Sequence, residues 1–356
     1  MPEPPSESSR PPLPADDAPW HVHFTTDVVQ VNYETLSVED IRQAQEQRIG
    51  EYRSQQRRQL RICIALFLLT FLSTFLVGAS FYPLEYLFIQ LLGMAGNGLQ
   101  TNAPAGLLEA RLLETSRNGL MYAGPLMLIL FFHEMGHYLQ SLRYRVPASL
   151  PYFIPMPFSI LGTMGAVIFQ GRSVATRRQM FDIAVSGPLA GLLVTLPVLW
   201  IGISGSNYAP TPVGGGFLEF GDPLIIQWLC EVIHGPMPQG YSMFLNNVAF
   251  AGWVGVLITA LNLLPVGQLD GGHIAYTLLR NRAHILSYGA VAAALGLILL
   301  EQNYSFVLLI VLVLLTGVRH PPTADDTESL GWFRHVLGWL TLSFLIIGFT
   351  PNPISI

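Results

Sequence analysis

The sequence predicts an all-α, polytopic membrane protein with about seven transmembrane helices. Of its 356 residues, 51% are hydrophobic and only 12% are charged, which is too little charge for an ordinary soluble enzyme. Several apolar runs approach the roughly 20 residues that a helix needs to cross about 30 Å of hydrocarbon. The 18 basic residues are all arginine, and they gather at alternate ends of these runs, as the positive-inside rule expects.

The N-terminal region precedes the first apolar run and is polar. Residues 1–24 are rich in proline, serine and acidic residues, without the apolar stretch of a signal peptide, so we expect a disordered tail. Residues 25–61 are expected to form a cytoplasmic juxtamembrane segment with a helix that begins near Ser37. Its arginines could contact anionic lipid or nucleic acid, but a solvated positive flank is the simpler interpretation.

The first two spans lie on either side of an expected outer loop. Residues 62–118 are predicted to contain the first transmembrane helix, about 62–82, and then this loop, which glycines interrupt. The second helix runs from Gly119 to about Gln140. Two arginines follow it directly and mark its end as cytoplasmic (Arg143 and Arg145).

The second helix carries two histidines and a carboxylate near its cytoplasmic end. Positions i and i+4 share a face of a helix, so His133 and His137 can offer two imidazoles to one metal ion, with Glu134 beside them. A charge at the centre of a membrane costs roughly 2.5–3.5 kcal/mol, and it is tolerated mainly where the side chain faces protein or a wet cavity. The alternative is that these side chains merely reach toward the headgroup boundary.

Repeated prolines and glycines between Pro147 and Arg172 prevent a continuous helix, while the apolar residues among them do not suit a solvated loop. We therefore expect a membrane-embedded β-hairpin, buried in protein or lining a cavity, because lipid cannot satisfy an open strand edge. Its edge at Gly165, Ala166 and Val167 could accept an extended substrate strand. The alternative is a hairpin that only plugs the helix bundle.

The third span, about residues 180–204, contains the sequence SGPLAG, whose small residues allow close packing against another helix. The loop at 205–246 has acidic residues but no arginine, as expected on the outer side. It is short for an independent domain.

The fourth span, about residues 247–264, leads into the sequence NLLPVGQLDGG, which supplies a candidate third metal ligand. Pro265 and the glycines interrupt the helix, so Asp270 has room to turn inward. Two imidazoles, one carboxylate and an open fourth position are typical of hydrolytic zinc sites. Alone, Asp270 would suit a turn before two glycines, but beside the buried histidines we interpret it as a ligand. His273 could substitute as a ligand, yet the arginines that follow indicate exposure to the cytoplasm.

The C-terminal region, residues 281–356, contains three apolar runs that predict two to three further transmembrane helices. The histidines at the ends of these runs are expected at the membrane interface (His284, His320 and His335). If the spans cross the membrane alternately, only Arg111 and Arg117 lie on the outer side and the other arginines lie on the inner side. This distribution predicts that the N-terminus and the candidate metal site face the cytoplasm.

Three motifs together resemble a known family. The chain contains HEMGH in one helix, SGPLAG in the next and NLLPVGQLDG in a third. Together these motifs resemble the three-helix catalytic core of the site-2 protease family, whose members are intramembrane zinc metalloproteases. The resemblance covers residues 119–280, and it is greatest to the compact bacterial relatives of the chloroplast EGY-type proteins. Many bacterial members insert PDZ domains on the outer side, for which the 205–246 loop has no room.

This resemblance implies a site, a cofactor and a class of substrate. His133, His137 and Asp270 would bind one Zn²⁺ ion, Glu134 would be the catalytic general base, and Asn262 would hold the substrate backbone or the developing oxyanion. The implied substrate is a single-pass transmembrane protein, cleaved within the bilayer during regulated intramembrane proteolysis. No organic cofactor and no nucleic-acid partner are expected, and the expected location is the bacterial cytoplasmic membrane.

The alternative function is a non-proteolytic zinc-binding scaffold or transporter. Glu134 argues against this alternative, because zinc binding alone does not need a base at that position. An ion channel or carrier would be expected to spread its charges over several spans, whereas here the candidate buried groups gather at one place.

Overall fold

The structure is a computed structural model that describes residues 38–80, 107–171, 174–211, 219–301 and 317–355, together with positions 307, 310 and 313. The expected disordered tail at 1–24 lies outside these residues, as do most of the first outer loop and most of the apolar run at 304–318. The chain divides into two compact units, residues 1–55 and 56–356. In the first unit the described residues are helical. The second unit contains the remaining elements.

The protein is mostly helical, and four of its described stretches are long and apolar enough to cross a membrane. These stretches are Ser54–Ala79, Leu113–Arg143, Arg177–Ser204 and Asp270–Leu299. Three shorter apolar helices accompany them: Leu224–His234, Asn247–Asn262 and Trp332–Gly348. The prediction of a helical membrane protein is therefore confirmed at the level of four candidate spans.

The first two helices are longer than the spans that the sequence predicts. Helix α1, Val38–Ser80, joins the juxtamembrane helix and the first apolar run without a break. Helix α2, Leu107–Arg143, begins well before Gly119, so residues 107–118 are helical rather than part of an irregular loop. This segment, LLEARLLETSRN, is rich in leucine, glutamate and arginine, which are strong helix formers even where they carry charge.

A β-hairpin follows α2, as the sequence predicts. Strand β1, Tyr152–Met156, pairs antiparallel with β2, Gly162–Val167. Two hydrogen bonds fasten the turn between these strands to the first two helices. The Ser73 hydroxyl donates to the Gly162 carbonyl at 2.6 Å, and the Tyr122 hydroxyl donates to the Leu161 carbonyl at 2.8 Å.

Helix α2 and two later helices form the centre of the fold. Helix α3, Arg177–Ser204, starts at a capping box in which the Thr176 side chain accepts from the Gln179 amide. Helix α5, Asn247–Asn262, is buried along most of its length, and its Trp253 is completely inaccessible. Glycines allow close contacts here: a Cβ on Gly202 would lie 2.3 Å from the Ala249 amide nitrogen. This packing sets α3 directly against the backbone of α5.

The segment between α3 and α5 is folded, whereas the sequence suggests only a loop. It contains strand β3, Asn207–Pro210, and strand β5, Tyr241–Phe244, which pair antiparallel. Between them lie β4, Glu219–Phe220, and the short helix α4, Leu224–His234. Strand β4 pairs with β6, Ile354–Ser355, near the end of the chain.

The C-terminal part begins with helix α6, Asp270–Leu279, which a 3₁₀ turn at Arg280–Arg282 separates from α7, Ala283–Glu301. The last helix, α8, covers Trp332–Gly348. Arg334 of α8 donates two hydrogen bonds to the Asp182 carboxylate of α3, at 2.7 and 2.8 Å. This bidentate pair ties α8 to the central helices.

Candidate metal centre

Helix α2 places three polar side chains inside the protein at the predicted motif. His133, Glu134 and His137 are only 3%, 6% and 8% exposed. The two histidines lie one turn apart on the same face of α2, and their Nε2 atoms are 3.3 Å apart. These buried positions contradict the alternative in which the side chains merely reach toward the headgroups.

Asp270, the first residue of α6, completes a compact group of three potential ligand atoms. Its Oδ2 lies 3.1 Å from Nε2 of His133 and 3.2 Å from Nε2 of His137. Zinc binds such nitrogen and oxygen donors at about 2.0–2.2 Å in a tetrahedral arrangement, which puts neighbouring ligand atoms roughly 3.3–3.6 Å apart. The observed spacing of 3.1–3.3 Å therefore fits one zinc ion held by three protein ligands.

A backbone carbonyl of α3 fixes the orientation of the second histidine. The Nδ1–H of His137 donates to the Ile183 carbonyl at 2.8 Å, so in the neutral ring Nε2 is the atom with a free lone pair. This arrangement is common for histidines that bind metal, since the second ring nitrogen then sets both the tautomer and the ring orientation.

Glycines of the SGPLAG sequence let α3 approach the histidines. A Cβ on Gly187 would lie 2.0 Å from Nε2 of His137 and 2.3–2.4 Å from the two adjacent ring carbons, which places it over the ring face. A Cβ on Gly191 would lie 3.1 Å from Nδ1 of His133. Helix α2 likewise has a glycine that faces α3: a Cβ on Gly136 would lie 2.4 Å from the Ser186 carbonyl oxygen. The motif is therefore more than a general packing signal, because it contacts the candidate ligands directly.

The two glycines after Asp270 have a similar role. A Cβ on Gly271 would lie 2.0 Å from the Leu263 carbonyl oxygen, and one on Gly272 would lie 2.5 Å from the Gly267 carbonyl oxygen. Both glycines belong to helix α6, so they do not interrupt a helix as the sequence suggests. They allow the first turn of α6 to pack against the preceding turn. Asp270 is the first residue of α6. It therefore lies at a helix N-terminus, where the backbone dipoles favour a negative charge.

A cavity of about 160 Å³ opens next to the three ligand atoms. Glu134 and Asn262 line it, and the Asn262 amide nitrogen lies 3.4 Å from Nε2 of His133. From the predicted hairpin edge, Ala166 and Val167 line the cavity. Gly165 is absent from its lining; it has a φ of +91°, and a Cβ there would meet nothing within 4 Å.

Two further histidines lie where the sequence does not predict them. His273, expected at the cytoplasmic surface, lines the cavity, and its Nδ1 is hydrogen-bonded to Nε2 of His320. His320, expected at the membrane interface, is 7% exposed. Burial, and then the neighbouring His273, lower the pKa of His320 to about 3, so its ring is neutral at pH 7. His273 could have been found from its i+3 spacing to Asp270, but His320 has no such local signal.

Comparisons with known proteins agree with this geometry. The family described as Peptidase family M50 matches residues 121–300, half of the chain. "Probable zinc metalloprotease EGY2, chloroplastic" of Arabidopsis thaliana is 29% identical over 68% of this chain and 44% of its own length. "Probable zinc metalloprotease EGY1, chloroplastic" of Oryza sativa subsp. japonica is 28% identical over 68% of this chain and 42% of its own length.

The matching region is only part of these relatives. The corresponding EGY1 protein of Arabidopsis thaliana is 26% identical over 63% of this chain and 41% of its own length. The chain thus spans less than half the length of each of these three relatives. No solved structure matches it.

Proposed function

Since the chain belongs to peptidase family M50, we propose that it is an intramembrane zinc metalloprotease, which hydrolyses peptide bonds within the transmembrane segments of its substrates. The observation that carries this proposal is the buried group of His133, His137 and Asp270, with Glu134 in the wall of the same cavity. Two imidazoles and one carboxylate leave a fourth position open, which is typical of a hydrolytic rather than a structural site.

Each residue of the site has a proposed role. His133, His137 and Asp270 hold the zinc ion, which when bound acts as a Lewis acid that polarises the scissile carbonyl. Glu134 is the general base, so its carboxylate takes a proton from the attacking water and then gives it to the leaving amine. Asn262, whose amide nitrogen points toward the ligand group, holds the substrate carbonyl.

The proposed substrate is a single-pass transmembrane protein that binds as an extended strand. In a helix the scissile carbonyl is hydrogen-bonded and shielded by side chains, so the substrate must unwind before it can react. Strand β2 is paired on one side with β1, and its residues Ala166 and Val167 line the cavity. Its other edge is therefore positioned to pair with the unwound segment, and we include Gly165 in this edge.

The membrane arrangement is also part of the proposal. The proposed seven spans are the four long helices, the two shorter helices Asn247–Asn262 and Trp332–Gly348, and the apolar run at 304–318, most of which lies outside the described residues; the hairpin is embedded between them. The distribution of arginine puts the N-terminus and the site on the cytoplasmic side. The support for this orientation is the distribution of arginine. The plant relatives are named as chloroplastic, so they do not support the expected location in a bacterial cytoplasmic membrane.

The test compares the wild-type protein with Glu134→Gln, purified in detergent and incubated with a transmembrane model peptide. Loss of the general base should lower the cleavage rate by at least about 100-fold, while bound zinc stays at one ion per chain. Glu231→Gln is the matched control, because Glu231 is exposed on the distant helix α4, and it should cleave like the wild type. Equal cleavage by the wild type and Glu134→Gln would contradict the proposal. Zinc binding without cleavage by any variant would favour the non-proteolytic scaffold.

A further inference from the structure

A loop outside the three sequence motifs passes next to the candidate metal centre. We call this loop, residues 317–331, the strap; it leads into helix α8. Its His320 is 7% exposed and packs between two side chains of helix α6. The His320 ring lies edge-on to His273, with centroids 4.6 Å apart, and it stacks on Tyr276, with centroids 4.4 Å apart and planes 20° apart.

The strap holds helix α6 and the turn before it at successive points. The Gly267 amide donates to the Val318 carbonyl at 3.1 Å. His320 is hydrogen-bonded to His273. Further along α6, the Tyr276 hydroxyl donates to the Asp326 carboxylate at 2.7 Å. These contacts lie on both sides of Asp270 in the sequence, so the strap fixes the segment that carries this candidate ligand.

The strap is also fastened to helix α3, which orients His137 through Ile183. The Ala324 amide donates to the Ala175 carbonyl at 2.9 Å, and the Arg177 amide donates to the Asp325 carbonyl at 3.2 Å. The buried Arg177 guanidinium donates from Nη1 to the strap at Glu328 and from Nε to the Thr277 carbonyl of α6, at 2.7 Å. The strap therefore connects the helix that supplies Asp270 with the helix that orients His137.

The sequence of α6 explains why Asp270 needs such support. The two residues after it are glycines, which have no side chains with which to anchor the first turn. His273 is thus the first residue after Asp270 whose side chain can hold this turn. Its Nδ1 has a buried partner in His320, so the side chain that holds this turn is itself fixed by a hydrogen bond.

We propose that His320 is a positioning residue of the metal centre, which acts through His273 to hold Asp270 at coordination distance from His133 and His137. The inference rests on the proposed function, because it concerns the zinc site named there. It adds a residue outside the region that matches the family, since His320 follows residue 300. It also gives the strap a role in metal affinity rather than in stability alone.

The test measures zinc affinity and the visible spectrum of the cobalt-substituted protein for the full chain in detergent. His320→Ala should weaken zinc binding by several-fold, less than the about 10–100-fold lost with a direct partner of a metal ligand, because His320 acts through His273, and it should alter the cobalt absorption bands. His320→Gln, whose amide can still hydrogen-bond to His273, should recover most of the affinity. His335→Ala, a partly buried histidine of α8, is the matched control and should bind zinc like the wild type.

The outcomes separate this inference from the proposed function. If the wild type binds zinc and His320→Ala binds it equally well with an unchanged cobalt spectrum, His320 has no positioning role. Equal losses of affinity in His320→Ala and His335→Ala, with equal falls in melting temperature, would also overturn the inference, because the effect would then be general destabilisation. A wild type that binds no zinc would overturn both proposals.

Discussion

At the scale of single residues, the candidate site depends on glycines as much as on its ligands. Gly187 and Gly191 of α3 face the rings of His137 and His133, and Gly271 lets α6 begin against the backbone of the preceding turn. A methyl group at any of these positions would have to displace a ring or a backbone segment, which close-packed interiors resist. The absence of a side chain therefore helps to set the distances between the ligand atoms.

Gly187→Ala tests this role directly. Its Cβ would lie 2.0 Å from Nε2 of His137, so we expect the ring to be displaced and zinc affinity to fall by about 10–100-fold or more, by analogy with lost partners of metal ligands. Gly191→Ala, at 3.1 Å from His133, should have a smaller effect. Zinc titration with a competing chelator measures both.

The control for these variants is Gly289→Ala in helix α7. A Cβ on Gly289 meets nothing within 4 Å, and alanine is more stable than glycine inside a helix by roughly 0.5–1 kcal/mol. This variant should therefore keep full zinc affinity and melt at the same temperature or slightly higher. A Gly187→Ala protein with the same zinc affinity as Gly289→Ala would contradict the role given to Gly187.

Local spacing decides which site residues the sequence can predict. His133, Glu134 and His137 share one helix, so their i and i+4 spacing places them together before any tertiary structure is known. Asp270 is 137 residues from His133, and only its motif and its family resemblance indicated that the two would meet. His320 lies in a loop with no repeated pattern, and its contact with His273 arises from tertiary packing alone.

At the scale of elements, the β-hairpin is tied to the helix bundle through its turn. The hydroxyl of Ser73, a residue of helix α1, donates a hydrogen bond to the Gly162 carbonyl at 2.6 Å. A Cβ on Gly162 would lie 2.8 Å from the Thr74 Cα of the same helix. Helix α1 therefore helps to fix the position of strand β2. The edge of this strand can receive a substrate only if the strand keeps its place beside the cavity.

Ser73→Ala should loosen this connection without affecting the metal site. A buried carbonyl that loses its partner costs about 1–3 kcal/mol, so we expect a lower melting temperature and a higher KM, with unchanged zinc content. Ser204→Ala is the control, because the Ser204 hydroxyl is exposed and bonds only locally, to the Trp200 carbonyl. Unchanged KM in Ser73→Ala would show that the hairpin does not need this tether.

Sequence patterns predicted the long apolar helices and the hairpin, but they did not predict the folded outer segment. Strands β3 and β5 are only four residues each and are 30 residues or so apart in the chain, too short for alternation to identify them. The start of α2 was missed for another reason. Its charged first turns look like a loop when hydropathy is read alone, although their helix propensity is high.

At the scale of the whole molecule, the arginine distribution predicts opposite sides for the strap and the outer segment. The sidedness of the two segments can be tested at two exposed positions, Thr327 in the strap and Gln239 before β5. With Cys63 and Cys230, both free and buried, replaced by alanine, single cysteines at these positions can be labelled with a membrane-impermeant maleimide. Thr327→Cys should react only from the cytoplasmic side and Gln239→Cys only from the outer side. Labelling of both from one side would contradict the proposed orientation.

The most direct test of an intramembrane protease is the position of the cut. The full-length chain and a single-pass model substrate would be reconstituted together in lipid vesicles, and the products mapped by mass spectrometry with and without a zinc chelator. We predict a cut inside the apolar segment of the substrate, abolished by the chelator and restored by added zinc. A cut only in the water-exposed flanks of the substrate, or one that the chelator leaves unchanged, would contradict the account.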